Sequence, residues 1–264
     1  MKKLFILLAI LNFSTLYGQD RLFTYTYQST VLNKGQKELE IWNTLSSGRK
    51  DYYSRLDNRS EFEIGLGGNL QTAFYLNITS KTFAIDANSI KTLETENKIS
   101  FSNEWKLKLL DPVANPIGLA IYGEYGIGSN EYELEGKLIL DKKLNNLTIA
   151  SNAVFELELV PVPDINKTLW EKEKKFDLNL AFAYSVSPRF AITFENIYKN
   201  VFIGNSLEHS ALYSGPGLSF SLTNFWLNFT ALPQVKSFKG NTGSSLNLNE
   251  FEKVQFRLLF SYVF

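Results

Sequence analysis

Cysteine is absent from the 264-residue chain, and histidine and methionine occur once each. Without cysteine, the protein can form no disulfide or thiolate metal site, and it cannot carry the lipid-modified cysteine of a bacterial lipoprotein. Basic and acidic side chains are equal in number, 27 of each, so the charge balance gives no support to nucleic-acid binding. The length fits a single domain.

Long apolar runs are also missing after residue 19, because charged or amide residues interrupt every apolar stretch before the roughly 18 positions that a transmembrane helix needs. One earlier run, residues 4–16, follows Lys2 and Lys3 and ends at Tyr17-Gly18-Gln19. We therefore predict that residues 1–18 are a cleaved signal peptide, with an uncleaved anchor as the alternative. Their removal would leave 25 basic and 27 acidic side chains, a formal charge of −2.

The chain does contain a regular alternation of apolar and polar side chains, which is clearest at the C-terminus. Large apolar side chains occupy every second position from Val254 to Phe264, and the last three are Phe260, Tyr262 and Phe264. On an extended strand they form one continuous apolar face, which suits a strand that faces lipid. The pattern resembles the C-terminal insertion signal of outer-membrane barrel proteins. This resemblance implies an outer-membrane location, with outer-membrane lipids and the barrel-assembly machinery as partners.

Similar period-two segments, separated by turn residues, recur from residue 37 onward, and we count twelve of them. Bacterial single-chain barrels have an even number of strands, and without long helices only a closed barrel can satisfy its backbone within a bilayer. We therefore predict an all-β fold, a single transmembrane antiparallel β-barrel of about 12 strands in residues 37–264. Residues 19–36 do not fit an even count and are expected to lie in the lumen or against the periplasmic rim. A soluble β-sandwich is the alternative.

The connections between strands sort into two sets if both ends of the barrel domain lie in the periplasm. Short turns such as Gly67-Gly68-Asn69 would be periplasmic, and the longer connections would face outward. Residues 161–175 carry prolines and a run of charges, and they are predicted to be a solvated loop. Residues 236–250, rich in Gly, Ser and Asn, are predicted to be a long mobile loop. Aromatic residues near strand ends, among them Trp105 and Tyr184, are expected to form a girdle at the membrane surface.

Charged side chains alternate with the apolar ones and should therefore point into the barrel. The candidates to line the lumen are Glu61, Glu63, Glu104, Lys106, Lys108, Glu124, Glu156, Glu158, Asp177, Glu195 and Arg257. Because both signs are present, these groups either pair with one another or line water, since an unpaired buried charge costs on the order of several kcal/mol.

No combination of residues typical of catalysis or of metal binding stands out. An outer-membrane phospholipase uses a histidine and a serine on one strand, but His209 and Ser210 are adjacent and would point to opposite faces. Carboxylates are spread along the strands, and no glycine motif for phosphate binding is present. The sequence therefore predicts no catalytic residues, no metal and no cofactor, and we do not expect an enzyme.

The region before the first strand carries one further resemblance. Phe23-Thr24-Tyr25-Thr26-Tyr27, followed by residues 32–40 with a Lys34-Gly35 turn, looks like the start of uncharacterised outer-membrane barrel proteins of Bacteroidota-type bacteria. The resemblance implies a fold and a location without an activity, and it carries no site residues. Two functions stay open: a narrow channel or binding barrel for a small hydrophilic solute, and a non-transporting structural or surface-interaction barrel that acts through its outer loops. An outer-membrane lipid hydrolase is a third alternative.

Overall fold

Twelve antiparallel strands close into one barrel in the computed structural model, which describes residues 21–87, 90–129, 131–163, 168–240 and 243–264. The strands are β1 (Lys37–Ser47), β2 (Tyr53–Gly67), β3 (Leu70–Ala87), β4 (Ile90–Leu110), β5 (Gly118–Gly128), β6 (Tyr132–Leu144), β7 (Leu147–Pro163), β8 (Thr168–Ser187), β9 (Phe190–Ile203), β10 (Ser206–Ser221), β11 (Phe225–Lys239) and β12 (Val254–Val263). Neighbours in sequence pair with each other, and β12 pairs with β1 to complete the ring. The predicted closed barrel of twelve strands is confirmed, whereas the predicted signal peptide lies outside the described residues.

The exterior of the barrel is apolar, and the interior is mostly polar. On β12, Phe256 and Tyr262 are exposed, while Leu259 and Ser261 between them are completely buried. The same alternation on the other strands covers the outer wall with exposed Leu, Ile, Phe, Trp and Tyr side chains. A continuous apolar surface of this extent is the surface that lipid solvates. Among the described residues, no helix is long and apolar enough to cross a membrane.

The start of β1 and the end of β12 lie at one rim of the barrel, together with the turn from β2 to β3, and we call it the periplasmic rim after the predicted orientation. The turn from β2 to β3 places Gly67, Gly68 and Asn69 at positive φ angles of 86°, 62° and 64°, which explains the choice of Gly and Asn there. In the turn after β4, backbone N–H groups of Val113 and Ala114 donate to the Asp111 carboxylate and hold its pKa below the usual range.

The prediction of a loop at residues 161–175 is wrong, because β7 and β8 continue through this region as a hairpin. They stay paired as far as Pro163 and Thr168, whereas the pairing of β6 with β7 ends at Leu159. Beyond Leu159 one edge of β7 is therefore free, and Pro161 can lie there without removing a hydrogen bond between strands. The charged run belongs to a hairpin that rises above the barrel wall, where both faces of a strand meet water.

Residues 236–250 also differ from the prediction of a mobile loop. β11 extends to Lys239, and part of the following segment folds back into the lumen. Asn247 is only 1% exposed, and its backbone N–H donates to the side-chain oxygen Oε1 of Gln234 at 2.7 Å. Phe251 packs in a buried cluster with Tyr25 and Tyr213. The Gly, Ser and Asn content of this segment is therefore compatible with an ordered inward fold.

The lipid-facing wall leads to a first prediction. Phe101 on β4 is 64% exposed and lies between the outward-facing residues Leu76 and Ile127 of the neighbouring strands. Phe101→Arg should lower the free energy of unfolding in lipid vesicles, measured by urea titration, by about 1–2 kcal/mol, less than the roughly 2–4 kcal/mol expected at the bilayer midplane, because Phe101 pairs with Ile127 close to the end of β5. Leu93→Arg is the matched control, because Leu93 lies in the β3–β4 hairpin beyond the end of β5 and should cost little. Equal effects of the two substitutions would contradict this placement of the membrane.

Candidate functional site

The periplasmic half of the lumen is filled by the chain itself. Residues 21–36 form a segment that we call the plug; residues 21–32 run through the barrel interior, where Phe23 and Thr26 are completely buried, and residues 33–36 turn at the rim. Leu22 and Phe23 pack against small inward-facing residues of β7, β8 and β9, namely Ala150, Ala181, Ala183 and Ala191. Because alanine leaves room at these inward positions, the barrel can enclose an extended peptide.

Glu195 on β9 anchors the centre of the plug. Its carboxylate accepts the backbone N–H groups of Thr24, Tyr25 and Thr26, each at 2.9 Å. The hydroxyls of Thr24 and Thr230 add hydrogen bonds of 3.0 and 2.9 Å. Glu195 is completely buried and makes no salt bridge with any described residue. Five donors thus replace water around this charge, and hydrogen bonds to charged groups contribute about 1.5–3 kcal/mol each.

Side-chain amides of the barrel wall satisfy further backbone groups of the plug. Asn152 accepts from the Tyr27 N–H at 2.7 Å and donates to the Tyr27 carbonyl oxygen at 3.0 Å. Gln71 accepts from the Leu32 N–H at 2.9 Å, and Asn228 donates to the Arg21 carbonyl oxygen at 3.0 Å. The plug therefore obtains from side chains the hydrogen bonds that a strand obtains from a neighbouring strand.

Two glycines permit close approach of the plug to the wall. A Cβ atom on Gly65 would overlap the Asn33 carbonyl oxygen, and one on Gly118 would overlap Asp141 Oδ1 and Ser29 Oγ. Since Ser29 also donates its backbone N–H to Asp141 at 3.3 Å, Gly118 lies at a direct contact between plug and wall. Any side chain at these two positions would push the plug away from the wall.

Above the plug, a cavity of about 660 Å³ occupies the other half of the barrel, and we call it the vestibule. Tyr25 and Tyr27 of the plug are among its lining residues and form its floor. The wall formed by β6, β7 and β8 is predominantly acidic, with Glu133, Glu135, Glu156, Glu158, Glu173 and Asp177. Across the barrel, β1–β3 and β12 contribute mainly basic groups, which are Arg49, Arg55, Arg59, Lys81 and Arg257.

The basic wall is largely neutralised by its own ion pairs. Arg49 pairs with Glu252 at 2.7 Å, Arg55 with Asp57 at 2.8 Å, Arg59 with Glu124 at 3.3 Å, and Lys81 with Glu96 at 2.7 Å. Arg257 instead lies over the Tyr25 ring, 3.7 Å from its centroid, and donates to Thr44 Oγ1 at 2.8 Å. Its contacts fix the floor of the vestibule to β12 and β1.

The acidic wall carries more charge than its own lysines balance. Three carboxylates share the Lys175 ammonium group. Its Nζ atom lies 2.7 Å from Glu156 Oε1 and 3.5 Å from Glu173 Oε1, and it also contacts Glu158. Lys137 pairs with Glu135 at 2.7 Å. Glu133 forms no salt bridge with a described residue. The vestibule is therefore asymmetric, and its excess negative charge is on β6–β8.

The sequence candidates for the lumen divide between the two halves. Glu61, Glu63, Glu104, Lys106, Glu124 and Glu195 are buried in the filled half, and Glu156, Glu158, Asp177 and Arg257 line the vestibule. Lys108 lies apart, 3.2 Å from Asp111 in a turn of the periplasmic rim. Glu38 and Glu40 are buried as well and were not predicted, although they alternate with Leu39 and Ile41 and follow the same rule. Lys175 was not predicted either, because the predicted loop excluded this residue from a strand.

His209 and Ser210 are not brought together. His209 lines the vestibule, with Nε2 4.0 Å from Glu250 Oε2. The Ser210 hydroxyl donates to the Tyr198 hydroxyl at 2.9 Å. The arrangement that acyl hydrolysis needs, with an imidazole in hydrogen-bond reach of the nucleophilic hydroxyl, is not formed by these two residues.

The fold described above is that of an outer-membrane β-barrel protein. The chain belongs to a family of unknown function, DUF6662, which matches residues 16–264. Comparison with curated proteins gives no match.

Solved structures of similar fold include barrels of two kinds. The translocator domain of the autotransporter NalP from Neisseria meningitidis is 10% identical, with a TM-score of 0.57 over 89% of this chain and 90% of that one. The NanC porin is 12% identical, with a TM-score of 0.53 over 85% and 98%. The KdgM porin in complex with disordered oligogalacturonate is 12% identical, with a TM-score of 0.51 over 86% and 99%. At these identities the similarity concerns the fold alone.

The anchoring of the plug can be tested at Glu195. The Glu195→Gln substitution removes the negative charge that strengthens the five hydrogen bonds to this side chain. It also replaces one acceptor oxygen with an NH2 group, which cannot accept from the donors of the plug. We expect hydrogen–deuterium exchange of the Thr24, Tyr25 and Thr26 amides to accelerate about tenfold or more, since each lost bond to a charged group is worth about 1.5–3 kcal/mol. Glu94→Gln, which removes an exposed carboxylate that forms no salt bridge with a described residue, is the control. Unchanged protection in Glu195→Gln would show that this residue does not hold the plug.

Proposed function

We propose that the protein binds a small hydrophilic solute from the cell exterior in the vestibule of an outer-membrane barrel. The observation that carries this proposal is the cavity of about 660 Å³, which lies opposite the periplasmic rim and is lined by charged groups of both signs. Cavities of roughly 300–1,000 Å³ are the usual size for small-molecule sites. An outward-facing cavity in the outer membrane would take its ligand from the medium.

The plug favours a binding barrel over an open channel. Its backbone is hydrogen-bonded to Glu195, Asn152 and Gln71 on three different strands, and it fills the lumen below the vestibule. Transport along the barrel axis would require residues 21–36 to move. The KdgM porin, whose fold is similar, is described with a hydrophilic oligomer, disordered oligogalacturonate, which gives a precedent for a polar ligand in a barrel of this kind.

The charges of the vestibule favour a solute that carries a positive group. Glu133 has no salt-bridge partner among described residues, and Glu156, Glu158 and Glu173 share Lys175. An ammonium group placed beside β6–β8 would gain these carboxylates as partners, while hydroxyl groups of the solute could reach the polar side chains elsewhere on the wall. No catalytic step is proposed. Phe260, Tyr262 and Phe264 are proposed to act as the signal for membrane insertion.

A surface-interaction barrel is the second candidate, because two hairpins extend beyond the barrel wall. β3 and β4 stay paired from Leu70–Leu107 to Ala87–Ile90, although β4 pairs with β5 only from Ser100 onward. The β7–β8 hairpin is similar. Hairpins of this length offer free strand edges to a partner. If shortening both hairpins abolished a surface phenotype while solute binding was unchanged, this second function would be favoured.

Solute binding can be tested with three molecules of one size and different charge. We expect glucosamine to bind the protein, refolded in detergent, more tightly than glucose, and glucuronate to bind least, as measured by isothermal titration calorimetry. The double variant Glu133→Gln, Glu158→Gln should weaken glucosamine binding roughly tenfold, the equivalent of about 1.4 kcal/mol. Glu94→Gln should have no effect. No measurable binding of any of the three, or a preference for glucuronate, would contradict the proposed selectivity.

A further inference from the structure

Four glutamates form a two-by-two grid on the inner face of β1 and β2, near the periplasmic rim. The strand register places Glu38 opposite Glu63 and Glu40 opposite Glu61. All four are buried, with exposed fractions between 1% and 7%. Like charges directly opposite each other on neighbouring strands are destabilising, and more so away from water. The grid therefore requires compensating positive charge.

The protein itself supplies little of that charge. Within the part of the chain that the structure describes, the four glutamates make one salt bridge, between Glu40 and Arg21 of the plug at 3.4 Å. Lys106 also lies in this region, but it forms no salt bridge with a described residue. A bound cation would supply the positive charge that Arg21 and Lys106 do not provide.

Three of the glutamates are held in place by donors on the wall. The Trp226 indole N–H donates to Glu38 at 2.7 Å, and the Trp42 indole N–H donates to Glu40 at 2.7 Å. The Gln71 amide donates to Glu63 at 2.9 Å. Hydrogen bonds of this kind orient the carboxylates that bind metals in proteins.

The spacing of these three carboxylates suits a calcium-sized ion. One oxygen from each of Glu38, Glu40 and Glu63 lies within 4.8 Å of the others. Ca²⁺ binds oxygen at about 2.3–2.6 Å, so its ligands are at most roughly 5 Å apart, and one such ion can contact all three carboxylates; Ca²⁺ also accepts sites built of protein oxygens alone, whereas Mg²⁺ usually keeps several waters. The three residues also border a small cavity of about 30 Å³, which is about the volume of one water molecule.

Glu61 adds an unpartnered buried carboxylate beside these three. It is 1% exposed, and neither of its carboxylate oxygens receives a hydrogen bond from a described residue. It lies opposite Glu40 on β1 and two positions from Glu63 on the same face of β2. A carboxylate buried in this way requires a compensating positive charge.

We infer that Glu38, Glu40 and Glu63, with Glu61 beside them, form a binding site for one Ca²⁺-type divalent cation between the plug and the barrel wall. The ion would occupy the small cavity, and second oxygens of the carboxylates would fill the remaining coordination positions. Because Glu40 also binds Arg21, the site lies at the junction between the plug and the β1–β2 wall.

The two tryptophans that contact the site allow a direct test with Tb³⁺, which replaces Ca²⁺ and emits when a nearby indole is excited. Titration of the full-length protein in detergent should give saturable Tb³⁺ luminescence, with one ion per chain, which excess Ca²⁺ displaces. Trp42→Phe and Trp226→Phe should each reduce the emission, whereas Trp105→Phe, on the lipid-facing wall, should not. Glu63→Gln should weaken Ca²⁺ binding about tenfold or more, and Glu94→Gln should leave it unchanged.

Several outcomes would overturn the inference. If the unmodified protein gives no Ca²⁺-displaceable emission, the grid holds protons instead of a metal. If emission survives unchanged in Trp226→Phe, the ion binds elsewhere, because Trp42 also lines the vestibule and would report an ion bound there. If Glu63→Gln does not refold, the inference can still be tested on the unmodified protein. Calorimetric titration of that protein with Ca²⁺ alone should then give one site per chain, and a titration without binding would contradict the inference.

Discussion

The structure depends on the need to satisfy polar groups inside a barrel that is surrounded by lipid. An extended peptide within the lumen has backbone donors and acceptors that no neighbouring strand pairs, and a buried carboxylate on the wall has lost its water. Glu195 and the plug satisfy each other, because three consecutive N–H groups converge on one carboxylate. The consequence is a barrel that is closed by its own N-terminal segment.

Closure divides the lumen into two compartments of different chemistry. On the outer side, the plug provides a floor of tyrosine rings for a wide and charged vestibule, and Arg257 ties that floor to the wall. On the periplasmic side, the same plug covers a crowded group of glutamates and brings Arg21 to one of them. A solute site and a cation site can therefore occupy one barrel, separated by a few residues of extended chain.

The sequence predicts much of this fold, because the period-two alternation is a local property that the barrel wall preserves. Phe256 and Tyr262 face outward and Ser261 faces inward, as the alternation predicts, and Gly67-Gly68-Asn69 turns the chain where predicted. Alternation also indicates that Glu195 points inward. It cannot indicate which groups Glu195 binds, since its partners in the plug lie about 170 positions away in sequence.

The other differences have similar physical origins. The glutamate grid depends on the register between β1 and β2, which sets Glu40 opposite Glu61 and is not encoded in the spacing within either strand. Pro161 indicates a loop only if both edges of its strand are paired, and the end of β6 leaves one edge free. Asn247 belongs to a segment of loop-like composition that nevertheless folds into the lumen through a hydrogen bond to Gln234.

The central claim is that residues 21–36 seal the barrel, and conductance across a planar bilayer tests it most directly. The full-length protein should insert and give no steady ion current, whereas a variant without residues 21–32 should give a stable ohmic current through the emptied lumen. A steady current from the full-length protein, equal to that of the shortened variant, would contradict the claim.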